Sequence, residues 1–310
     1  LSDCYRNPGH VQLLEWYWPV FRRERINTSS PVTIQHPSPI VPPTMVLPST
    51  NMKKKSDTTC GILYLVATPL GNLEDITLRA LNTLKEVDLI AAEDTRRAKK
   101  LLTHYQITTP VTSYFEHTSF KKTQSLLAHL KEGKDLALIS EAGTPSISDP
   151  GYRLTRLAIE NTITVISIPG PSAVITALSA SGLPTHSFIF EGFLPRKTGN
   201  RRNLFLSLQD QERTLVFYES PRRLLTTLQD LLQVLGDRQI VVARELTKMF
   251  EEIIRGKISE VIELFEGKTI KGEITILVSG SSFPGNPSPL TDPVKCVNKA
   301  RRNKKSYGKD

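Results

Sequence analysis

Three short stretches concentrate glycine, proline and small polar side chains directly behind apolar runs. They are "VATPLGNLED" at 66–75, "SEAGTPSISDPG" at 140–151 and "SIPGPSAV" at 167–174. Glycine admits positive φ and close approach of a ligand to the main chain, while proline fixes φ and stiffens the turn. Small residues at the start of the following helix leave its first N–H groups free to face a ligand. Any one of these loops alone is an ordinary strand-to-helix turn. Three of them behind strands of one sheet describe a crevice for a compact cofactor held mainly by backbone groups, since strand-end loops form the ligand crevice of open α/β sheets. The first is neither a Gly-Lys-Ser/Thr phosphate loop nor Gly-x-Gly-x-x-Gly. In the second, Asp149 before Pro150 reads as a helix N-cap with proline at the first helical position. That leaves Glu141, Thr144 and Ser146 for a ligand.

The elements that must hold these loops are regular from residue 60 onward. "GILYLVA" reads as a buried strand, "TLRALNTLKEV" as a helix and "DLIAAE" as the next strand. The pattern predicts helices near 95–104, 119–132, 150–160 and 172–181, and strands at 135–140 and 163–168. Strands alternating with helices indicate a parallel sheet covered by helices. A second half begins near "THSFIFEGF". It has helices predicted at 200–208, 221–235 and 258–265, and strands at "TLVFYE", "QIVVARE" and "GEITILVSG", which suggest a mixed sheet. The expected organisation is an N-terminal α/β domain over 60–175 with the cofactor loops and a C-terminal α/β domain over 176–280.

The flanks differ in composition. Residues 1–59 are rich in Pro, Ser and Thr and read as disordered or as no part of the native protein. "MKKKSDTTCGILYLVATP" begins at Met52, so Met52 is the expected start. A signal peptide is not expected, because "LLEWYWPVFRRERI" lacks a clean apolar run followed by a small-residue cleavage site. Residues 281–310 read as a disordered basic tail. The chain carries a net +9, but residues 1–59 hold +3, residues 281–310 hold +5 and residues 60–280 only +1. Overall charge therefore says little about a nucleic-acid partner. Three scattered cysteines, Cys4, Cys60 and Cys296, suit a reducing compartment and argue against a disulfide framework. The six histidines lack metal-ligand spacing, so no metal is expected. No apolar run approaches the ~18 residues of a membrane span.

Seven stretches occur in an order that resembles the small-subunit (16S) ribosomal RNA 2′-O-ribose methyltransferase I family. They are "VATPLGNLEDIT", "AAEDTR", "SEAGTPSISDPG", "IPGPSA", "EGFLPRK", "FYESP" and "ARELTK". That family is of the tetrapyrrole-methylase-like class of S-adenosylmethionine enzymes, and the resemblance covers residues 60–280. It departs at "SPRRL", 220–224, where a histidine is expected and Arg222 stands. The resemblance implies two α/β domains of the tetrapyrrole methylase type with the cofactor in the cleft between them, a homodimer, and a cytoplasmic enzyme. The implied reaction is methyl transfer from S-adenosylmethionine to the 2′-hydroxyl of a cytidine in the decoding region of 16S rRNA. By motif match, Pro69, Glu141, Gly143, Thr144, Ser172 and Ala173 are implied cofactor residues, with Phe217 and Tyr218 from the second domain. Two other readings stay open: methylation of a small tetrapyrrole, and a ribosome-binding factor without activity.

Such a reaction needs in-line alignment of oxygen and methyl group, and a group to take the hydroxyl proton. Asp94 in "AAEDTRR" and Glu116 in "YFEHT" are the expected catalytic candidates. Asp94 also fits a cap on the helix from Thr95, which would free Glu93 and Arg96, while Glu116 and His117 also fit a polar surface loop. Lys248 in "ELTK" offers positive charge for a developing alkoxide. "LPRKTGNRRN", 194–203, places Arg196, Lys197, Arg201 and Arg202 on a loop before a helix, where they are expected to grip RNA phosphates. "TRRAKK" at 95–100 extends the same basic surface.

Overall fold

A computed structural model describes residues 60–283. The expectations for residues 1–59, for the Met52 start and for residues 284–310 of the tail fall outside the described residues, as do Cys4 and Cys296.

In chain order the elements are β1 (Leu63–Val66), α1 (Leu78–Glu86), β2 (Leu89–Ala92), α2 (Thr95–His104), β3 (Val111–Ser113), α3 (Phe120–Lys131), β4 (Leu136–Ile139), α4 (Tyr152–Glu160), β5 (Val165–Ile168) and α5 (Ala173–Ser181). There follow β6 (Phe188–Phe193), α6 (Thr198–Ser207), β7 (Thr214–Glu219), α7 (Leu224–Leu235), β8 (Gln239–Arg244), β9 (Glu252–Lys257), α8 (Ile258–Phe265) and β10 (Ile274–Val278). A single 3₁₀ turn, Leu73–Asp75, precedes α1.

The first sheet has the order β3-β2-β4-β1-β5 and every pairing is parallel. Its inner strands β1, β2 and β4 are rich in apolar residues because helices cover both faces. Leu136, Ala137, Leu138 and Ile139 of β4 are all buried. On one face Val66, Ile90 and Ile139 pack with Ala80 and Leu84 of α1 and Ala98 and Leu102 of α2. On the other, Leu63, Ala91 and Leu138 pack with Leu126 and Leu130 of α3 and Leu154 and Ala158 of α4. Strand β3, only three residues long, is not predicted from the sequence.

The second sheet has the order β6-β7-β10-β8-β9 and is mixed, as expected: β6 runs parallel to β7, and the other pairings are antiparallel. Side chains alternate across it. Leu215 and Phe217 of β7 join Phe205 of α6 and Leu228 and Leu231 of α7 in one core. Val216 and the half-buried Tyr218 turn to the opposite face, where Val174, Ala177 and Leu178 of α5 meet Val241 and Leu277. Thus α5 follows the first sheet in sequence but covers the second. Arg255 of β9 fastens its far end: the guanidinium donates to the carbonyl oxygens of Ser181, at 3.1 Å, and Ala180. These are last-turn carbonyls without helical partners, at the negative end of the helix dipole.

Candidate active site

Parallel order puts the carboxyl ends of β4, β1 and β5 side by side, so the three glycine–proline loops meet. Thr68 and Gly143 exchange both backbone hydrogen bonds at 2.9 Å, an isolated bridge between the first loop and the second. The Thr68 hydroxyl donates to the Ser140 carbonyl at 3.3 Å. Thr144 Oγ1 donates to the Pro171 carbonyl at 3.1 Å and ties the second loop to the third. Gly143 has φ +85°, and a Cβ there would sit 3.3 Å from Leu70 Cδ2. The positive φ is what favours glycine at this crossing.

The second loop then turns unusually. Ser146 and Ser148 both hold positive φ, 71° and 60°, a region that costs a non-glycine residue ~1–2 kcal/mol. This geometry corrects the cap expectation. α4 begins at Tyr152, Gly151 occupies the cap position without a side-chain cap bond, and Asp149 turns into the cleft instead. A Cβ on Gly151 would fall 2.1 Å from Ser146 Oγ, so the glycine accommodates the serine rather than a ligand.

Between the two sheets lies a cleft of about 500 Å³, within the ~300–1,000 Å³ of small-molecule sites. Of the expected cofactor residues it gathers Glu141, Gly143, Thr144, Ser172, Ala173 and Tyr218. Pro69 is buried and does not line it; its neighbour Leu70 does. Phe217 is a correction: it is fully buried, its ring 5.7 Å from Phe205, because alternation along β7 sends it to the other face from Tyr218. Phe193 takes up the aromatic role on the second-sheet side, 5.4 Å from the Tyr218 ring. It reaches the cleft because β6 loses register between Phe190 and Phe193, with Gly192 at φ +68°. The "EGF" stretch carried that signal, a glycine within a strand.

The expected acids lie elsewhere. Asp94 caps α2, accepting from the N–H groups of Arg96 at 2.7 Å and Arg97 at 3.3 Å, and those bonds hold its carboxyl below the usual range. Glu116 is exposed and outside the cleft lining. The carboxylates that do line the cleft are Glu93, Glu141, Asp149, Glu219 and Glu273. Burial, then the nearby Glu141 charge, pushes Glu93 up. Burial, then Glu93, pushes Asp149 up to about 7. Tyr218, buried beside Asp149, is pushed up to about 12 and stays a neutral phenol. Lys248 is no free cation: it pairs with Glu245 at 2.8 Å and Glu273 at 3.0 Å. Its stem lies over Gly71, where a Cβ would come within 2.2 Å of it. Among the described residues no group of three or more His, Cys, Asp or Glu side chains is placed to hold a metal ion.

The basic loop also divides. Arg196 and Lys197 are exposed. Arg201 is corrected: it is 1% exposed and its guanidinium grips Asp230 of α7, Nε at 2.8 Å. Arg202 is half-buried and takes the other Asp230 oxygen at 2.7 Å. Arg222, the departure from the family pattern, is exposed and outside the cleft lining.

A sequence profile of the tetrapyrrole (corrin/porphyrin) methylases matches residues 62–262. The chain is 54% identical over 220 residues to a ribosomal RNA small subunit methyltransferase I of Thermotoga maritima, spanning 71% of this chain and 99% of that protein. It is 53% identical over 230 residues to the protein of the same name from Halalkalibacterium halodurans, spanning 74% and 80%. The chain belongs to the ribosomal RNA small subunit methyltransferase I family. Like other tetrapyrrole methylases, this family member shares its fold with a cobalt precorrin-4 methyltransferase of cobalamin biosynthesis. The TM-score is 0.53 at 18% identity, over 72% of this chain and 96% of that one. It shares it also with a uroporphyrin-III C-methyltransferase of Thermus thermophilus complexed with S-adenyl homocysteine. There the TM-score is 0.51 at 20% identity, over 70% and 97%. In this methyltransferase the cleft residues fit a sulfonium cofactor by their own chemistry. Small residues at Gly143, Ser172 and Ala173 expose backbone, and surrounding carboxylates favour a cation.

Proposed function

We propose that this protein transfers a methyl group from S-adenosylmethionine to the 2′-hydroxyl of a cytidine in the decoding region of 16S rRNA. The observation that carries the reading is 54% identity across 99% of a small-subunit rRNA methyltransferase I. S-adenosylmethionine, when bound, supplies the methyl group on a positively charged sulfur. Gly143, Thr144, Ser172 and Ala173 hold the cofactor through backbone contacts at the ends of β4 and β5. Phe193 and Tyr218 close over it from the second sheet and exclude water. Arg196 and Lys197, behind Phe193, take RNA phosphates. The two sheets act as two domains that meet at the cleft, and the enzyme works in the cytoplasm on the small ribosomal subunit. Among the described residues no helix is long and apolar enough to cross a membrane. The family likeness supports a homodimer.

Primer-extension mapping of 16S rRNA from a strain lacking the gene is expected to show one ribose methylation missing, restored by the purified enzyme with S-adenosylmethionine. An unchanged methylation pattern rejects the reading. Replacing Arg196 and Lys197 together by alanine is expected to weaken RNA binding uniformly across sequences. Two lost phosphate contacts lower the salt-dependence slope by about 1–2. A titration of affinity against salt checks this; an unaltered slope removes both residues from the interface.

A further inference from the structure

We propose that Arg223 is a positioning residue for the RNA: it fixes the loop that bears Arg196 and Lys197 against the rim of the cleft. The inference rests on the reading above of those two side chains as phosphate ligands. β6 and β7 are parallel neighbours, so the loops at their carboxyl ends lie side by side. One leads from Phe193, at the cleft, to the exposed Arg196 and Lys197. The other is 220–223, of which Ser220 and Pro221 also line the cleft. Arg223 joins the two with all three guanidinium nitrogens. Nε donates to Ser220 Oγ at 3.3 Å, Nη1 donates to the Leu194 carbonyl at 3.1 Å, and Nη2 meets Glu219 Oε1 at 2.6 Å.

The brace is itself held from behind. Glu219 ends β7 with its side chain fully buried. It accepts from the Ser220 N–H at 2.6 Å and, on its other oxygen, from the Thr227 hydroxyl at 2.7 Å. The next carbonyl of the loop, that of Pro195, accepts from Arg201 Nη1 at 3.5 Å, and Arg201 is gripped by Asp230. Two consecutive carbonyls at the base of the loop are thus each taken by a guanidinium. Leu194 is buried there, whereas residues 196–200 are exposed, so the cations stand on a fixed base with free tips.

Both anchors lead back to α7. Arg223, Thr227 and Asp230 stand at i, i+4 and i+7, one polar line along a helix whose other buried residues are Leu224, Leu228, Leu231 and Leu235. Apolar residues on that line would join α6 to α7 as firmly, because paired apolar groups commonly match or exceed a buried ion pair in stability. They would not hold main-chain carbonyls in place. The distinct product of the polar line is therefore a fixed loop. A loop ordered before RNA arrives has less freedom to lose on binding.

Arg223→Lys tests this. Lysine keeps a charge for Glu219 but lacks the planar fork that reaches three partners at once. KM for small ribosomal subunits is expected to rise about tenfold, the effect of leaving roughly one more residue to be ordered on binding. kcat and calorimetric affinity for S-adenosylmethionine are expected to stay as in wild type. With Arg196 and Lys197 already replaced by alanine, Arg223→Lys is expected to add no further rise in KM, whereas a role in general stability gives losses that add. An unchanged KM in the single variant, additive losses, or reduced cofactor affinity overturns the proposal. Limited trypsin digestion needs no variant. The bonds after Arg196 and Lys197, though exposed, are expected to resist cleavage in the folded wild type and to be cut faster in Arg223→Lys. Rapid nicking of wild type at these bonds also overturns the brace. If wild type methylates small subunits and the variant does so with the same KM, only the role of Arg223 falls; if wild type does not methylate them, the functional reading falls.

Discussion

Arg201→Ala is expected to destabilise the protein by about 3–5 kcal/mol, the cost of removing one partner from a buried ion pair. Arg201 and Asp230 are each 1% exposed, and Asp230 receives Arg201 on one oxygen and Arg202 on the other. Without Arg201, a carboxylate remains in the layer between α6 and α7 with a half-exposed arginine as its only cation. A domain stable by ~5–15 kcal/mol loses a large part of its margin to one such change. Equilibrium urea unfolding is the measurement, with a lower midpoint at unaltered slope as the expected result. Asp230→Leu combined with Arg201→Leu is expected to recover much of the loss, since paired apolar replacement removes both desolvated charges. An unchanged midpoint together with weaker RNA binding would return Arg201 to the phosphate interface.

Gly143→Val is expected to abolish cofactor binding while the fold survives. The residue sits at φ +85° with Leu70 3.3 Å from the Cβ position and the Pro171 carbonyl at 3.7 Å. A β-branched side chain at positive φ costs at least ~1–2 kcal/mol, and the cheapest relief is to rotate the peptide. Rotation breaks the paired bonds to Thr68 and carries Thr144 away from Pro171, so all three loops lose their register. The strain itself lowers stability; affinity falls because the loops that meet the cofactor lose their register and valine methyls stand where the cofactor meets backbone. Calorimetry with S-adenosylmethionine tests the idea, with Gly143→Ala as the milder comparison. Unchanged affinity in the valine variant would remove this crossing from the site.

Much of the framework was legible because it is written in local chemistry. "TLVFYE" and "ISEVIELF" match β7 and α8 residue for residue, since apolar runs and turn residues bound them sharply. The loops announced themselves through glycine and proline. The failures share a different cause. Phe217 and Tyr218 are neighbours on a strand, and which of them faces the cleft depends on what covers each side of the sheet. Arg201 and Arg202 read alike until Asp230, on another helix, claims one of them completely. Asp149 before Pro150 carries an ordinary capping signal, and two serines with positive φ override it. Each miss depends on a partner distant in sequence or on strain that no residue type advertises.

Helix α5 has a history as well as a place. The ribosome delivers it before any strand of the sheet it covers, and its partners Val216, Val241 and Leu277 emerge over the next hundred or so residues. Until then Val174, Ala177 and Leu178 have nothing to pack on, and the contacts they await are of long sequence separation, which are slow to form. The first sheet has its own strands and both helical layers by that time, so it is able to form early. The second closes late around a helix already waiting for it. The cofactor crevice, whose third loop begins that helix, is therefore among the last parts of the molecule to come into being.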